Sequence, residues 1–294
     1  MSQLTQICDS AARVLSLPTP TGYVNNTGVN EKKLLVAFEQ AGRERRRQKQ
    51  WPQLIRTATL TLVDGVANPT MPGDLMAFIN STAWDVSASR PMEGPLTPQQ
   101  WNNLKYGIVN VGPFKKFRVA GRLATKRFEI DPVPTASDAG ETIKFTYLSG
   151  TVLLPPAWST GASSTQLPYC SNSAGNIYSA YSTGTTGSTE PTHTSGTASD
   201  GAVTWSYYDN SYDIATSNTD TTLFDRECME ADVVWRFRKM SGMDYAEFKA
   251  DADQMWEQYY TQIAGAPTLY LGGSFGNGPG LINMNNLPDT GYGS

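Results

Sequence analysis

The chain has one histidine in 294 residues, His193, set in a Ser/Thr/Gly-rich tract. A Ser-His-Asp or Cys-His arrangement would have to use it, and a histidine-rich metal site is excluded. Any catalysis would fall to carboxylates, lysine or tyrosine. The three cysteines, Cys8, Cys170 and Cys228, lie far apart with no C-x-x-C pair. That pattern makes neither a zinc motif nor a disulfide framework and suits a reducing compartment. No apolar run approaches the roughly 18 residues of a membrane span. The stretch Met1-Ser-Gln-Leu-Thr-Gln6 lacks the basic and apolar regions of a secretory signal, so neither a leader nor a membrane contact is expected. Charge is scarce as well: 17% of residues are charged and the net charge is −4, which does not describe a nucleic-acid binder as a whole. The glycines near the C-terminus form no phosphate loop. The pattern G-x-x-x-x-G-K-[ST] does not occur, and Gly273-Ser-Phe-Gly276 has no basic partner. No cofactor is expected.

What is present is apolar periodicity. Leu4, Cys8, Ala11, Ala12 and Leu15 predict an amphipathic helix over 2–16, ended by Pro18 and Pro20. Asn30 is placed as the cap of a helix over 30–50, with Leu34, Leu35, Phe38 and Ala41 inward and a basic end stopped by Trp51-Pro52. Alternation from Ile55 to Val63 predicts a strand. Thr97, Pro98 and Gln100 have the spacing of a capped helix start over 97–107. Lys116–Val119, Thr125–Ile130 and Thr142–Leu148, continuing to Leu154, predict strands of a small antiparallel sheet. Two more helices follow at 220–240 and 244–264, joined by the turn Ser241-Gly242-Met243. The first places Phe224, Cys228, Ala231, Val234 and Trp235 inward and Asp225, Arg226, Glu227, Arg236, Arg238 and Lys239 outward. The second carries a stripe of Tyr245, Phe248, Ala252, Met255, Trp256, Tyr259 and Ile263, with Asp244 as its cap and Glu247 three residues on. Residues 34–41 are the expected packing partners of this pair.

Composition shifts at Pro155. To about Asn210 the chain is rich in Ser, Thr, Gly and Tyr, yet Trp158, Tyr169, Ile177, Tyr178, Tyr181, Val203, Trp205, Tyr207 and Tyr208 are too many large residues for a solvated linker. A small β module inserted in a loop is expected. From Pro267 a Gly- and Asn-rich tail carries spaced apolar residues: Leu269, Tyr270, Leu271, Phe275, Leu281 and Ile282. It cannot form a core alone and is free to lie along a partner. The fold class expected is α+β: a helical core with a small antiparallel sheet (1–154 and 213–265), the inserted module (155–212) and an extended tail (266–294).

Several groups invite a functional reading. The basic run Arg43, Arg45, Arg46, Arg47 and Lys49 could meet a neighbouring subunit, face DNA in a channel, or be a solvated helix end with internal ion pairs. Lys115, Lys116, Arg118, Arg122, Lys126 and Arg127 form a second cluster, of which alternation puts half on each face. Asp225, Glu227, Glu230 and Asp232 could be paired carboxylates of a glycosidase, but exposed carboxylates on an amphipathic helix are ordinary, and no enzyme is expected. Tyr178, Tyr181, Trp205 and Tyr207 could stack sugars or simply fill the module's core.

The order of residues resembles the head-to-tail adaptor (connector) family of short-tailed bacteriophages. The likeness is carried by Leu34-Leu35 to Gly42-Arg43 followed by Trp51, and by Arg56-Thr-Ala-Thr-Leu-Thr61. It continues in Ala83-Trp84 with Arg90-Pro-Met-Glu-Gly-Pro-Leu-Thr-Pro-Gln-Gln-Trp101, in Gly112-Pro-Phe114 to Phe117-Arg118, and in Val234-Trp-Arg-Phe-Arg238 through Gly242-Met-Asp-Tyr245. It spans most of 1–155 and 215–265. Within the insertion, Ser182-Thr-Gly-Thr-Thr-Gly-Ser-Thr-Glu-Pro191 and Asp200-Gly-Ala-Val-Thr-Trp205 look like a decoration module of phage particles, with His193 where usual copies carry an aromatic. The resemblance implies a structural virion protein, assembled in the host cytoplasm, that forms a ring (usually a dodecamer) under the portal. Such a ring carries the tail tube or nozzle and passes DNA through its lumen during genome ejection without reading its sequence. The competing reading is a tail-associated protein that binds host-surface glycan through the insertion.

Overall fold

The computed structural model describes residues 2–107, 114–122, 125–165 and 167–264. The fold is α+β. Five α-helices are formed among the described residues: α1 (Leu4–Val14), α2 (Val29–Gln48), α3 (Pro98–Tyr106), α4 (Arg226–Met240) and α5 (Ala246–Ala264). Helix α4 is the centre of the helical layer, packing on α1, α2 and α5. It is therefore buried around most of its circumference, through Cys228, Met229, Asp232, Val233, Val234, Trp235, Arg236 and Phe237. This corrects the expectation that Arg236 lies on an outer face. The core around it takes Leu4, Ile7, Cys8 and Ala11 from α1, Leu34, Ala37, Phe38 and Ala41 from α2, Trp256 from α5, and Trp51 and Leu54 from the chain that follows α2.

The helix ends show where spacing suffices. Thr97 Oγ1 accepts from the Gln100 amide at 3.3 Å while Gln100 Oε1 accepts from the Thr97 amide at 2.9 Å, the reciprocal cap read from the sequence. Asp244 Oδ1 accepts from the Ala246 amide at 3.2 Å at the start of α5. At α2 the cap is Gly28, not Asn30, and Asn26 Oδ1 holds the Gly28 amide at 3.0 Å. Helix α4 begins six residues later than 220, on Asp225, whose carboxylate accepts from the Glu227 and Cys228 amides at 2.9 and 3.2 Å. The residues before it form a strand instead. Thr221–Thr222 lies between Ser2–Gln3 and Leu153–Leu154, so both halves of the split core share backbone hydrogen bonds. Asp220 is buried behind this strand, accepting from the Thr216 and Ser217 amides at 2.7 and 3.1 Å and from the Tyr212 hydroxyl at 3.1 Å.

The second layer is antiparallel sheet. Ile55–Thr61 pairs along its length with Thr142–Ser149, whose other edge takes Leu75–Phe78 and Trp84–Asp85. Alternation alone suggests that Lys116–Arg122 and Thr125–Asp131 join this sheet; instead they form a separate two-stranded ribbon. The ribbon docks by ring stacking: Phe117 on Phe128 at 4.5 Å and Phe128 on Phe145 of the sheet at 5.4 Å. Leu60, Leu62, Ile130 and Ile143 complete this second core.

The insertion holds a four-stranded antiparallel sheet in the order Tyr169–Ser171, Ile177–Ala180, Val203–Tyr207, Thr197–Asp200. Leu167, Cys170, Tyr178, Val203 and Trp205 fill its small core. Buried Asp200 pins the loops, accepting from Trp158 Nε1 at 3.0 Å and from the Thr189 amide at 3.1 Å. The sheet is also seated on the helical layer: Ile177 is part of that core, with Tyr169 and Tyr208 packed against it.

Candidate functional site

The basic end of α2 is largely consumed within the chain. Arg45 is buried and grips Asp232 of α4 with two bonds of 2.8 Å, then reaches Asp253 of α5 at 2.7 Å. The Arg45 carbonyl accepts from Trp51 Nε1 at 2.6 Å, and Asp232 also accepts from Trp235 Nε1 at 2.7 Å. Arg236 stacks on Trp235 at 4.1 Å and lies 2.9 Å from Glu44 and 3.5 Å from Asp232. Its Nε and Nη2 make no hydrogen bond of good geometry, so the Glu44 contact is an ion pair by distance alone. Burial disfavours both guanidinium charges. For Arg45 the bonds to Asp232 and Asp253 outweigh burial and raise its pKa. For Arg236 burial prevails over Asp232 and Glu44 and lowers it. Asp253, pushed up by burial, is held below its ordinary value by hydrogen bonds from Lys249 and Arg45.

Arg46, also buried, donates to the Gly150 carbonyl and pairs with Asp213 at 2.9 Å. Arg43 bonds the Asp213 carbonyl and Glu39, each at 3.2 Å. Lys49 pairs with Glu257 and covers the Tyr260 ring at 4.3 Å. Arg47 is exposed and takes no ion pair among the described residues. Of the alternatives for this run, internal ion pairs hold for Arg43, Arg45, Arg46 and Lys49. The subunit-interface or DNA-channel reading is corrected for Arg45 and Arg46, whose side chains are buried against carboxylates of their own chain. The acids responsible, Asp213, Asp232 and Asp253, lie far along the chain, so no local spacing signalled them. Three members of the second basic cluster are similarly engaged. Lys115 pairs with Asp85 at 2.9 Å, Asp138 at 3.4 Å and Glu141, Lys116 with Glu93 at 3.1 Å, and Arg118 with Glu129.

The four carboxylates considered for hydrolysis are dispersed among other duties. Asp225 caps α4, Asp232 holds Arg45, and Glu230 accepts from Ser10 at 2.9 Å and Arg226 at 2.6 Å. Glu227 stands at the rim of an apolar groove between α1, α4 and α5. Of the module's aromatics, Trp205 and Tyr178 are fully buried. They fill the core and cannot meet a surface ligand as the sequence suggests, because strand pairing turns both rings inward. Tyr181 is 80% exposed. His193 packs on Tyr178 at 5.0 Å and accepts the Tyr178 hydroxyl at its carbonyl.

Tyr207 lines a groove of about 680 Å³ between the module and the strand Ile55–Thr61, together with Arg56, Tyr147, Asn176 and Asp209. Arg56 makes no ion pair among the described residues. Burial raises the pKa of Asp209, offset in part by the Gly73 amide. Tyr147 donates to Asp74 at 2.8 Å from the back of the groove. The sequence reading missed this groove, since it is made by two sheets meeting across the insertion. The tail residues Leu269, Tyr270, Leu271, Phe275, Leu281 and Ile282 lie outside the described residues.

No nucleophilic thiol is presented. All three cysteines are buried and free, and burial pushes Cys170 and Cys228 up to about 12 and Cys8 further in the same direction. The native chain at pH 8 is therefore expected to resist a thiol reagent, and the denatured chain to release all three thiols; rapid native labelling would contradict this burial. Among the described residues no cluster of three His, Cys, Asp or Glu side chains could hold a metal ion. No described helix is long and apolar enough to cross a membrane. No protein-family model matches the chain, and no curated protein matches it either.

Proposed function

We propose that the chain is a structural virion protein, a subunit of a ring joining the portal to the tail tube or nozzle of a short-tailed phage. The observation that carries this reading is the outer surface of the helical layer. Its core is complete, yet Val14, Val29, Val36, Met243 and Phe248 remain exposed on it. Single exposed apolar residues are ordinary, but several on one small layer favour contact with other proteins. The residue order shared with the adaptor family supports the same assignment. In this reading 1–154 with 213–265 is the ring body and 155–212 decorates it. DNA passes the lumen without sequence recognition, and the protein is neither an enzyme nor membrane-bound. The tail, 266–294, seats its spaced apolar residues on the portal or tail protein as an added strand or groove filler.

Sedimentation of the purified chain, alone and mixed with portal rings, tests the proposal. Ring-sized or portal-bound species are expected. A monomer that never joins portal rings would sink it. Deleting 267–294 is expected to block tail attachment; complete tails on particles carrying the truncated chain would remove the tail's role.

The groove containing Tyr207 and Arg56 favours a second reading, a tail-associated protein binding host-surface glycan. An aromatic ring beside an uncommitted guanidinium and an amide suits a polar, ring-shaped ligand. The full chain would then bind bacterial surface polysaccharide, and Tyr207→Ala and Arg56→Ala would each abolish binding. No binding by the wild-type chain eliminates this reading.

A further inference from the structure

Helix α4 separates two unlike surfaces. It faces α2 through Asp232 and Arg236, which meet Arg45 and Glu44. At about 100° per residue, Glu227, Ala231 and Val234 point roughly 120–180° away from that contact. On their side α1, α4 and α5 border a groove of about 470 Å³, with Val14, Ala231, Val234, Phe248 and Met255 as its apolar lining. Glu227, Glu230 and Asp251 are its acidic members. Glu230 is committed to Arg226 and Ser10, whereas Glu227 and Asp251 make no ion pair among the described residues.

The outer face of α2 is the complement. Val29, Lys32, Val36, Gln40 and Arg47 are exposed at helical spacing, Val29 at 69% and Val36 at 40%. Lys32 and Arg47 take no ion pair among the described residues. One surface is apolar with free anions, the other apolar with free cations.

We infer that the α2 stripe of one copy seats in the α1/α4/α5 groove of the next, with Val29 and Val36 against Val14 and Phe248 and Lys32 toward Glu227 and Asp251. The inference rests on the ring reading and supplies it with an interface. Charge selects the occupant. Residues 265–294 offer apolar side chains but no Lys or Arg, so they would leave the two carboxylates unpaired. The α2 stripe pairs them. Placement selects the mode: because the two surfaces lie on opposite sides of the helical layer, the contact is head-to-tail and each copy retains one free surface for another. Such contacts repeat from copy to copy, and they form a ring where the rotation between copies closes.

Cysteine cross-linking of the full chain tests this, since the native cysteines are buried. A chain carrying Val36→Cys and Phe248→Cys, treated with a short bismaleimide in its assembled state, is expected to give a ladder of covalent dimers, trimers and larger species. Mixing the two single-cysteine chains should stop at dimers of about 64 kDa, twice 32.0 kDa, and neither alone should cross-link. Adding Lys32→Glu should abolish the ladder, and adding Glu227→Lys with Asp251→Lys to that chain should restore it. Wild-type protein that sediments as an oligomer, while the double-cysteine chain gives no ladder, overturns the interface and leaves the ring reading standing. Wild-type protein that is monomeric at every concentration, with and without portal, overturns both.

Discussion

Asp232→Ala is expected to lower the unfolding free energy by about 3–5 kcal/mol, the usual result of removing one partner from a buried ion pair. Asp232 is completely buried and is the anion shared by Arg45 and Arg236, as well as the acceptor of Trp235 Nε1. Without it Arg45 retains Asp253 and Arg236 retains Glu44, but the side chains of those acids are 39% and 55% exposed. Water screens both, so neither replaces an anion held in the interior. The guanidinium groups cannot shed their charge at neutral pH, and α2 and α4 would be held apart to hydrate them. A chain with Arg45→Met, Asp232→Leu and Arg236→Met together should regain most of the loss, because the cost lies in the unpaired charges. Guanidinium denaturation followed by circular dichroism measures both. A loss below about 1 kcal/mol for Asp232→Ala, the size of a surface effect, would show that the network is not held in the interior.

That same network marks the boundary of what the sequence discloses. Helices α1, α2, α3, α4 and α5 lie close to where apolar spacing puts them, since one buried stripe is enough to announce a helix. The cap at Thr97 is legible because both of its bonds lie within three residues. Arg45 and Asp232, by contrast, are 187 residues apart. A charged residue on a helix is ordinarily solvated, and nothing local says that α4 sits in the middle of its layer with hardly any solvent face. The pairing of Lys116–Arg122 with Thr125–Asp131 alone is hidden for a related reason. Alternation gives a strand two faces without saying which edge it pairs, and here Phe117 and Phe128 turn the ribbon face-on to the sheet. The groove at Tyr207 needs both kinds of information, the strand carrying Arg56 and the module's seat on the helical layer. Thr222 illustrates why the start of α4 is not legible: its apolar neighbours suit a helix, but pairing with Ser2 and Leu153 wins.

Trp51→Ala should cost about 3–5 kcal/mol, as for other large buried aromatics, and the loss should be concentrated in α5. Trp51 is 1% exposed and contacts four rings: Phe224 at 5.5 Å, Trp256 at 5.2 Å, Tyr259 at 6.0 Å and Tyr260 at 5.2 Å. Three of these belong to α5, whose own buried residues are Ala252 and Trp256. A helix with so little buried surface is docked chiefly by that aromatic cluster and by Arg45–Asp253. Removing the indole should therefore open α5 below the global unfolding limit, as a separate cooperative unit. Amide exchange over 250–264 should accelerate by about a hundredfold if roughly 3 kcal/mol is lost locally, while Thr142–Ser149 in the sheet stays protected. Trp51→Phe keeps a ring in place but leaves the buried Arg45 carbonyl without its Nε1–H donor, an effect of about 1–3 kcal/mol. Its exchange pattern should match that of the alanine variant at smaller amplitude. Equal acceleration in α5 and in the sheet would show instead that the indole supports the whole core and that α5 is not held as a unit of its own.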